Sequence, residues 1–438
     1  MKIPAVKGTR DLYPEVLAPI RRIFDAWRSV SLRHGFEEFE GPTLELLDLY
    51  REKSGEELVG QVYRLTDSGG RELALRPEMT PTLARMVAAR IATLPRPIKW
   101  FCISNLFRGE NVQRGRLREF YQWNADVIGS ADMVADAETI LVGVEALREL
   151  GLTAADFAVH ISNRRLIRAI LLAAGIGEES HPGAYALLDK SGKLDRSELM
   201  RRWGASYGER LEFGALEELL SAGDLSRVAA LAGRLGGGGA ELESALSETD
   251  RLMTLLRNFG ITEFCKIDLR VVRGLAYYTG PVFEFYDRSE KERAICGGGR
   301  YDDLLGRLGR ASEPAVGFGM GDVVLGLILA EKGLLQAAAR RVEVFVADAD
   351  EGLREVVHRA VGGLRRAGLC AEFSYTFQPL GRQLKAADKA AAKWVVMVGR
   401  AVTTNGIVRI RQMAGGAERD VPLEALLANP RAVLEGSP

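Results

Sequence analysis

Between Leu117 and Ile128 the chain alternates with a period of two. Arg118, Phe120, Gln122, Asn124 and Asp126 fall on one face, and Leu117, Glu119, Tyr121, Trp123, Ala125 and Val127 on the other. That period predicts a strand. A solvated strand face usually carries scattered Lys, Glu and Thr. This one carries a cation, a ring, amides and a carboxylate in fixed order, backed by a face suited to a core. The pattern predicts a strand lining the floor of a polar pocket. Lys99 to Arg108 is also strand-like, and the polar stretch Gly109 to Arg116 lies between the two. The reading is a β-hairpin with an eight-residue loop, longer than most. Such a loop, carrying Arg114 and Arg116, either closes over phosphates or is an ordinary solvated basic loop. Spacing alone does not separate the two.

Elsewhere the pattern alternates between helical and strand periods. Leu17, Ile20, Ile23, Phe24, Trp27 and Val30 predict an amphipathic helix over Pro14 to Arg33. Tyr63–Asp67 and Glu72–Arg76 read as two strands joined at Gly69-Gly70. RPEMTP follows, with Thr80 as N-cap and Pro81 as first residue of a helix to Arg90. Arg76 and Glu78 thus stand where a strand gives way to a helix. Ala135–Leu150 and Arg164–Ala174 are helical, with Phe157–Ser162 a short strand between them. From about Gly175 to Leu255 the chain is helical, charged and broken by a run of four glycines, which reads as an inserted module.

Strands resume at Ile267–Val272 and Val282–Tyr286, around RGLAYYTG. CGGGRYDDLLG reads as a positioned glycine turn before a helix Tyr301–Leu308. AVGFGMGD is a glycine-rich strand leading into a helix from Val323 to Lys332. It is not Gly-x-Gly-x-x-Gly, and the chain has no Walker sequence, so Rossmann and P-loop readings fail. After a linker, strand and helix alternate from VEVFVA onward, predicting a small α/β unit with a mostly parallel sheet. Arg382, Lys385, Lys389 and Lys393 form a basic stripe on or near its second helix; a solvated face is the usual explanation.

Composition narrows the classes. A length of 438 residues suggests two to three domains. No apolar run is long enough for a membrane span, and the start, MKIPAVKGTRDLYP, has no apolar secretory core. Cys102, Cys265, Cys296 and Cys370 form no Cys-x-x-Cys pair, and His34, His160, His181 and His358 are scattered, so zinc spacing is absent. Reduced thiols suit a cytosolic protein. Lys plus Arg equals Asp plus Glu at 59 each, so a nucleic acid would need a local basic surface. A general nucleic-acid-binding module would show a basic chain or aromatic stacking platforms, and neither is present.

Taken in order, these stretches resemble the class II aminoacyl-tRNA synthetases, and among them the histidyl-tRNA synthetase family. KGTRDLYP resembles its N-terminal signature and the Gly41-Pro42 segment its dimer-forming first motif. FRGENVQRGRLREF matches the second motif, RGLAYYTG the histidine-specific peptide, and AVGFGMG the start of the third. The resemblance covers nearly the whole chain. It implies an α+β fold: an antiparallel catalytic sheet with flanking helices over residues 1–332, a helical insertion at about 175–255, a linker at 333–341, and an anticodon-binding α/β domain over 342–438.

The implied activity joins L-histidine to tRNA(His) through histidyl-adenylate, with ATP as substrate, Mg²⁺ on its phosphates, a homodimeric assembly and no membrane partner. By resemblance Arg108 holds the α-phosphate and the substrate carboxylate, and Arg273 the α-phosphate from the other side. Glu110 holds adenine or a metal-linked phosphate, and Phe120 stacks on adenine. Glu78, Met79, Thr80 and Gln122 belong to the histidine site, on the α-amino side. Asp126 and Tyr278, with Tyr277 nearby, meet the imidazole. Gln113, Arg114 and Arg116 reach the tRNA acceptor end. An arginine-rich site suits this chemistry, because attack at a crowded phosphorus needs positive charge more than a side-chain base.

The chain departs from the family pattern in three places. Asp126 stands where Glu is usual and Ala276 where Asp is usual, and Val323 and Val324 occupy the end of the third motif, where an Arg usually stacks on adenine. Clamping of adenine would then fall to Arg116 or Arg300. The alternative reading is a histidine-binding paralogue serving as regulatory subunit of ATP phosphoribosyltransferase. Such paralogues lack the C-terminal domain, which this chain has.

Overall fold

The computed structural model describes residues 3–51, 60–191, 194–235, 239–272, 278–303, 306, 312–335 and 342–436. The chain divides into two compact units, Met1–Gln336 and Ala337–Pro438.

Strands of the first unit are, in chain order, β1 Glu37–Glu38, β2 Leu44–Leu46, β3 Arg64–Thr66, β4 Glu72–Leu75, β5 Ile98–Phe107, β6 Glu119–Ile128, β7 Phe157–Asn163, β8 Cys265–Ile267, β9 Pro281–Asp287, β10 Cys296–Arg300 and β11 Ala315–Gly321. Eight of them form one sheet in the order β1-β5-β6-β11-β10-β9-β7-β8. Its interior pairs are antiparallel, and only the β1–β5 and β7–β8 pairs at its two edges are parallel. β2, β3 and β4 make a separate small sheet.

The alternation of β6 sets the layering. Trp123, Ala125 and Val127 point into the main core with Phe101, Phe283, Phe285 and Phe318. The helices Pro14–Arg33 and Met133–Glu149 cover this face through Ile23, Trp27, Val30, Ile140 and Val144. Trp27 and Trp123 stack with centroids 5.8 Å apart, and the Trp123 indole N–H donates to Ser31 Oγ at 3.0 Å, so its one polar atom is satisfied. Burying the larger side chains of this layer stabilises the fold by roughly 1.5–3 kcal/mol each. The opposite face of the sheet is left for a cavity.

Several elements differ from the sequence expectation. Gly297, Gly298 and Gly299 are not a turn; they lie inside the buried strand β10. A Cβ at Gly298 would sit 2.3 Å from Gly317 O and 2.6 Å from Phe283 and Phe318, so glycine is required by close strand packing. The strand expected over Ile267–Val272 stops at Ile267. There the Asp268 carboxylate accepts the Arg270 N–H at 3.0 Å, a side-chain turn that ends the ladder. Thr80 is the first residue of its helix and makes no cap; Met79 precedes it. Tyr301–Asp303 is not helical, and residues 304, 305, 307 and 308 of the helix expected there lie outside the described residues.

The insertion is helical: His181–Leu188, Arg196–Tyr207, Phe213–Leu220, Leu225–Gly233 and Ala240–Asn258. It has its own core around Trp203, Leu199 and Leu216, which also takes in the helix Arg164–Ala173 and Ile267 at the end of β8.

In the second unit, β12 Val344–Asp348, β13 Ala371–Phe373, β14 Trp394–Val398, β15 Ile407–Gln412 and β16 Glu418–Pro422 form a sheet ordered β13-β12-β14-β15-β16. The first three strands are parallel and the last two antiparallel, so the sheet is mixed. The helices Arg354–Arg366 and Leu380–Lys389 pack on it. Arg382, Lys385, Lys389 and Lys393 are exposed.

Candidate active site

A cavity of about 820 Å³ opens on the face of the large sheet away from the helical core. Its floor is β6 with β11 and β10. Phe120, Gln122, Asn124 and Asp126 line it, as the period of two requires. Across β11 they face glycines: Asp126 pairs in register with Gly317, Asn124 with Gly319 and Gln122 with Gly321. A Cβ at Gly317 would fall 1.9 Å from Asp126 Oδ1, and one at Gly319 2.8 Å from the Gln122 amide. Alternate glycines on β11 therefore make room for the polar side chains of β6.

Asp126 is the most buried charge of the floor, at 3% exposure. It accepts a hydrogen bond from the Tyr301 hydroxyl and forms no ion pair among the described residues. Burial pushes its carboxyl up to about 7, with the Tyr301 O–H pulling the other way. Tyr278 lines the same region, and Gly299 lies where a Cβ would be 2.9 Å from its ring. Asn124 Oδ1 is buried without a hydrogen-bond partner.

Glu78 and Thr80 line the cavity at the start of the helix Thr80–Arg90. Met79 points away and is buried with Cys102 and Leu106. Arg76 is buried beneath, donating to Glu40 at 2.5 Å, Gly41 O at 2.7 Å and Asn105 O at 2.9 Å. It ties β4 to β5 and fixes where Glu78 emerges.

Arg108 follows directly on β5, donates through Nε to Pro77 O at 2.9 Å and lies 5.2 Å over the Phe120 ring. Beyond it the hairpin loop folds back, with Gln113 bridged to Arg116. Arg116 and Glu110 line the cavity and meet at 2.5 Å. Arg114 does not line it. It reaches Glu292 at 2.5 Å and also pairs with Glu331. Gln113 is likewise off the wall. Arg273 and Tyr277 lie outside the described residues.

The N-terminal signature holds this end together. Gly8 O accepts the Arg118 N–H at 2.9 Å. Arg10 meets Asp322 at 2.7 Å, while Asp322 also accepts the Tyr121 N–H at 2.9 Å. Val323 and Val324, at the start of the helix Asp322–Glu331, line the cavity wall. Of the two arginines considered for clamping adenine, Arg300 is excluded. It is 3% exposed, is not on the cavity wall, and is held by Asp136 and Asp302.

The far end of the cavity holds residues that carried no signal in the sequence. His160 Nδ1 meets Asp268 at 2.9 Å, and its ring lies 4.8 Å from that of Tyr286. Burial would raise the Asp268 carboxyl, but hydrogen bonds from His160 and Arg270 outweigh it and hold it well below the usual range. Tyr301 was also missed as a site residue. Its partner Asp126 is 175 positions away, and no local spacing reports such a contact. Among the described residues no cluster of His, Cys, Asp or Glu could hold a metal by itself.

Comparison with known proteins places these observations. Residues 8–321 match a family model described as histidyl-tRNA synthetase, and residues 342–429 one described as anticodon binding domain. A "Histidine--tRNA ligase" of Opitutus terrae is 38% identical over 428 residues, 98% of this chain and 98% of its own. The chloroplastic/mitochondrial "Histidine--tRNA ligase" of Arabidopsis thaliana is 37% identical, covering 96% of this chain and 85% of its own. A histidyl-tRNA synthetase structure from Nostoc shares the fold, with TM-score 0.82 at 23% identity, over 98% of this chain and 99% of its own. A Bacillus halodurans structure described as ATP phosphoribosyltransferase regulatory subunit/histidyl-tRNA synthetase has TM-score 0.74 at 26% identity, covering 91% of this chain and 100% of its own.

Proposed function

The chain belongs to the histidyl-tRNA synthetase family, and from that premise we propose how its cavity divides the chemistry. The activity is that of a histidine–tRNA ligase using ATP, histidine and tRNA(His). In the first step a histidine carboxylate oxygen attacks the α-phosphorus of ATP, and pyrophosphate leaves. In the second, a hydroxyl of the terminal adenosine of tRNA attacks the histidyl carbonyl, and AMP leaves.

The nucleotide lies at the hairpin end. Arg108 binds the α-phosphate and the histidine carboxylate, drawing the two reactants together and neutralising charge as it builds on phosphorus. Arg273 meets the α-phosphate from the other side. Phe120 stacks on adenine, and Glu110 faces adenine or a metal-bearing phosphate. A Mg²⁺ ion accompanying ATP would be held mainly by the phosphates, with Glu110 the carboxylate facing it, and would add positive charge there.

Histidine lies on the floor. Glu78, Thr80 and Gln122 take its α-amino group, with Met79 backing that wall, and Asp126, Tyr278 and Tyr277 take the imidazole. One observation carries this reading: Asp126 is buried on the cavity floor with a tyrosine hydroxyl but no cation among the described residues. A buried acceptor of this kind discriminates for a ligand bringing an N–H, because any other leaves the carboxyl with the Tyr301 hydroxyl as its one side-chain partner among the described residues. Gln113 and Arg114 face the acceptor end of the tRNA, as does Arg116, which also lines the cavity at the nucleotide end, and the insertion touches the acceptor arm. The catalytic domain spans 1–332 and the anticodon-binding domain 342–438. The working form is a cytosolic homodimer.

The test is histidine-dependent ATP–pyrophosphate exchange together with charging of tRNA(His). Both occur on this reading, and Arg108→Ala abolishes exchange. Histidine binding without exchange would instead place the chain with the regulatory paralogues.

A further inference from the structure

Arg293 lies on the segment joining β9 to β10 and lines the hairpin end of the cavity. That segment is pinned on both sides. Asp287, at the end of β9, accepts the N–H of Ser289 at 3.0 Å and of Glu292 at 3.4 Å. Ile295, 2% exposed, donates its N–H to Phe285 O at 2.7 Å. The Glu292 side chain is 11% exposed and held by Arg114. Arg293 therefore emerges from a fixed backbone, and the hairpin loop itself helps to fix it.

Its electrostatic surroundings are unbalanced. Glu110 is paired with Arg116 and Glu292 with Arg114, so Arg293 forms no ion pair among the described residues. Arg293 is exposed at the cavity mouth, and partial desolvation against the wall, then the charge of Arg116, hold its guanidinium below the usual range, with Glu110 opposing. Like charges gathered on one cavity wall are unfavourable in the empty protein and become favourable when a polyanion enters. The neighbouring wall supplies no competing cation, since Val323 and Val324 stand there. The Gly115 Cα carries the loop so close that a Cβ would lie 3.2 Å from Val324 Cγ2.

We propose that Arg293 is an ATP-binding residue which, with Arg116, grips the outer phosphates of ATP across Glu110. The assignment rests on the reading of this cavity as the site of histidine activation. Arg114 and Glu292 contribute indirectly, by positioning the two arms of the grip.

The experiment is ATP–pyrophosphate exchange with the full-length protein and its R293A and R293K variants, alongside adenosine and ATP binding by calorimetry. R293A raises the KM for ATP about tenfold, the loss expected for one charge-assisted contact. It leaves the KM for histidine unchanged, which also reports a folded protein. R293K recovers most of the loss, because a lysine serves a phosphate as a point charge, and adenosine binding stays as in the wild type. An unchanged KM for ATP in R293A overturns the proposal. So does an equal loss for adenosine, which would mean stacking on the base, or a loss confined to tRNA charging, which would mean an RNA contact. Absence of exchange in the wild-type protein would instead remove the reading on which the proposal rests.

Discussion

The two ends of the cavity are built in different ways. The floor is sheet: Gln122, Asn124 and Asp126 project from one strand, and the glycines opposite leave them space by register. The rim is loop and ion pair: Arg116–Glu110, Arg114–Glu292 and Arg10–Asp322 hold the hairpin over the end proposed for the nucleotide. A floor set by strand register can hold one small molecule to a fraction of an ångström, which selecting an imidazole demands. A rim of exchangeable ion pairs can release pyrophosphate and accept an RNA end. Specificity and charge handling are thereby assigned to different physical devices.

The largest effect should come from breaking the floor. Gly317→Ala places a Cβ 1.9 Å from Asp126 Oδ1, so one of the two must move. Histidine-dependent exchange should fall about a hundredfold or more, since small misplacements carry costs of that size. The overpacking should also destabilise the fold by about 1–3 kcal/mol in chemical denaturation. Normal exchange in this variant would show that the close approach of β11 to Asp126 does not matter.

Next in size is Arg300→Ala. It leaves Asp136, buried at 0% exposure, without its guanidinium, a change worth about 3–5 kcal/mol of stability. The KM for ATP should stay as in the wild type at temperatures where the variant is folded. A rise in that KM would return Arg300 to the nucleotide site.

Asp126→Asn should raise the KM for histidine by about ten- to a hundredfold, the loss expected for a hydrogen bond to a charged acceptor. It also alters the pH dependence of stability. Asp126 has a folded-state value of about 7 against an ordinary 3.8, so between these the unfolded chain releases its proton first. The stabilisation from the protonated group is present below about pH 4 and lost as the pH rises to about 7. Across that window the wild type should lose at most about 4 kcal/mol relative to Asp126→Asn, read from denaturation curves at each pH. A difference of the opposite slope would mean that Asp126 is ionised and stabilised in the folded protein.

The smallest effect belongs to Arg114→Ala. Its side chain is 60% exposed, so its pairs contribute under about 1 kcal/mol and weaken with salt. Exchange should change by no more than about fivefold at low salt, and less at high salt. A large loss that salt does not relieve would make the loop latch a stronger device than its exposure suggests.

These differences also explain what could be read in advance. The floor was legible because a strand reports its faces with a period of two, and Gln122, Asn124 and Asp126 kept that period with polar residues. The helix Pro14–Arg33 was legible by its helical spacing of apolar residues. The glycines of β10 were misread as a turn, since the feature that requires them is the neighbouring strand and not their own conformation. Arg300 was left open as a nucleotide ligand because its partner Asp136 is 164 positions away. Tyr301 escaped for the same reason. Local chemistry marks which residues can act, whereas long-range packing decides which are already occupied.

The most direct test of this division is to measure both Michaelis constants in pyrophosphate exchange for Asp126→Asn and Arg116→Ala side by side. A cavity with a histidine floor and a nucleotide rim predicts that Asp126→Asn raises the constant for histidine alone and Arg116→Ala the constant for ATP alone. Constants that rise together in both variants would contradict it.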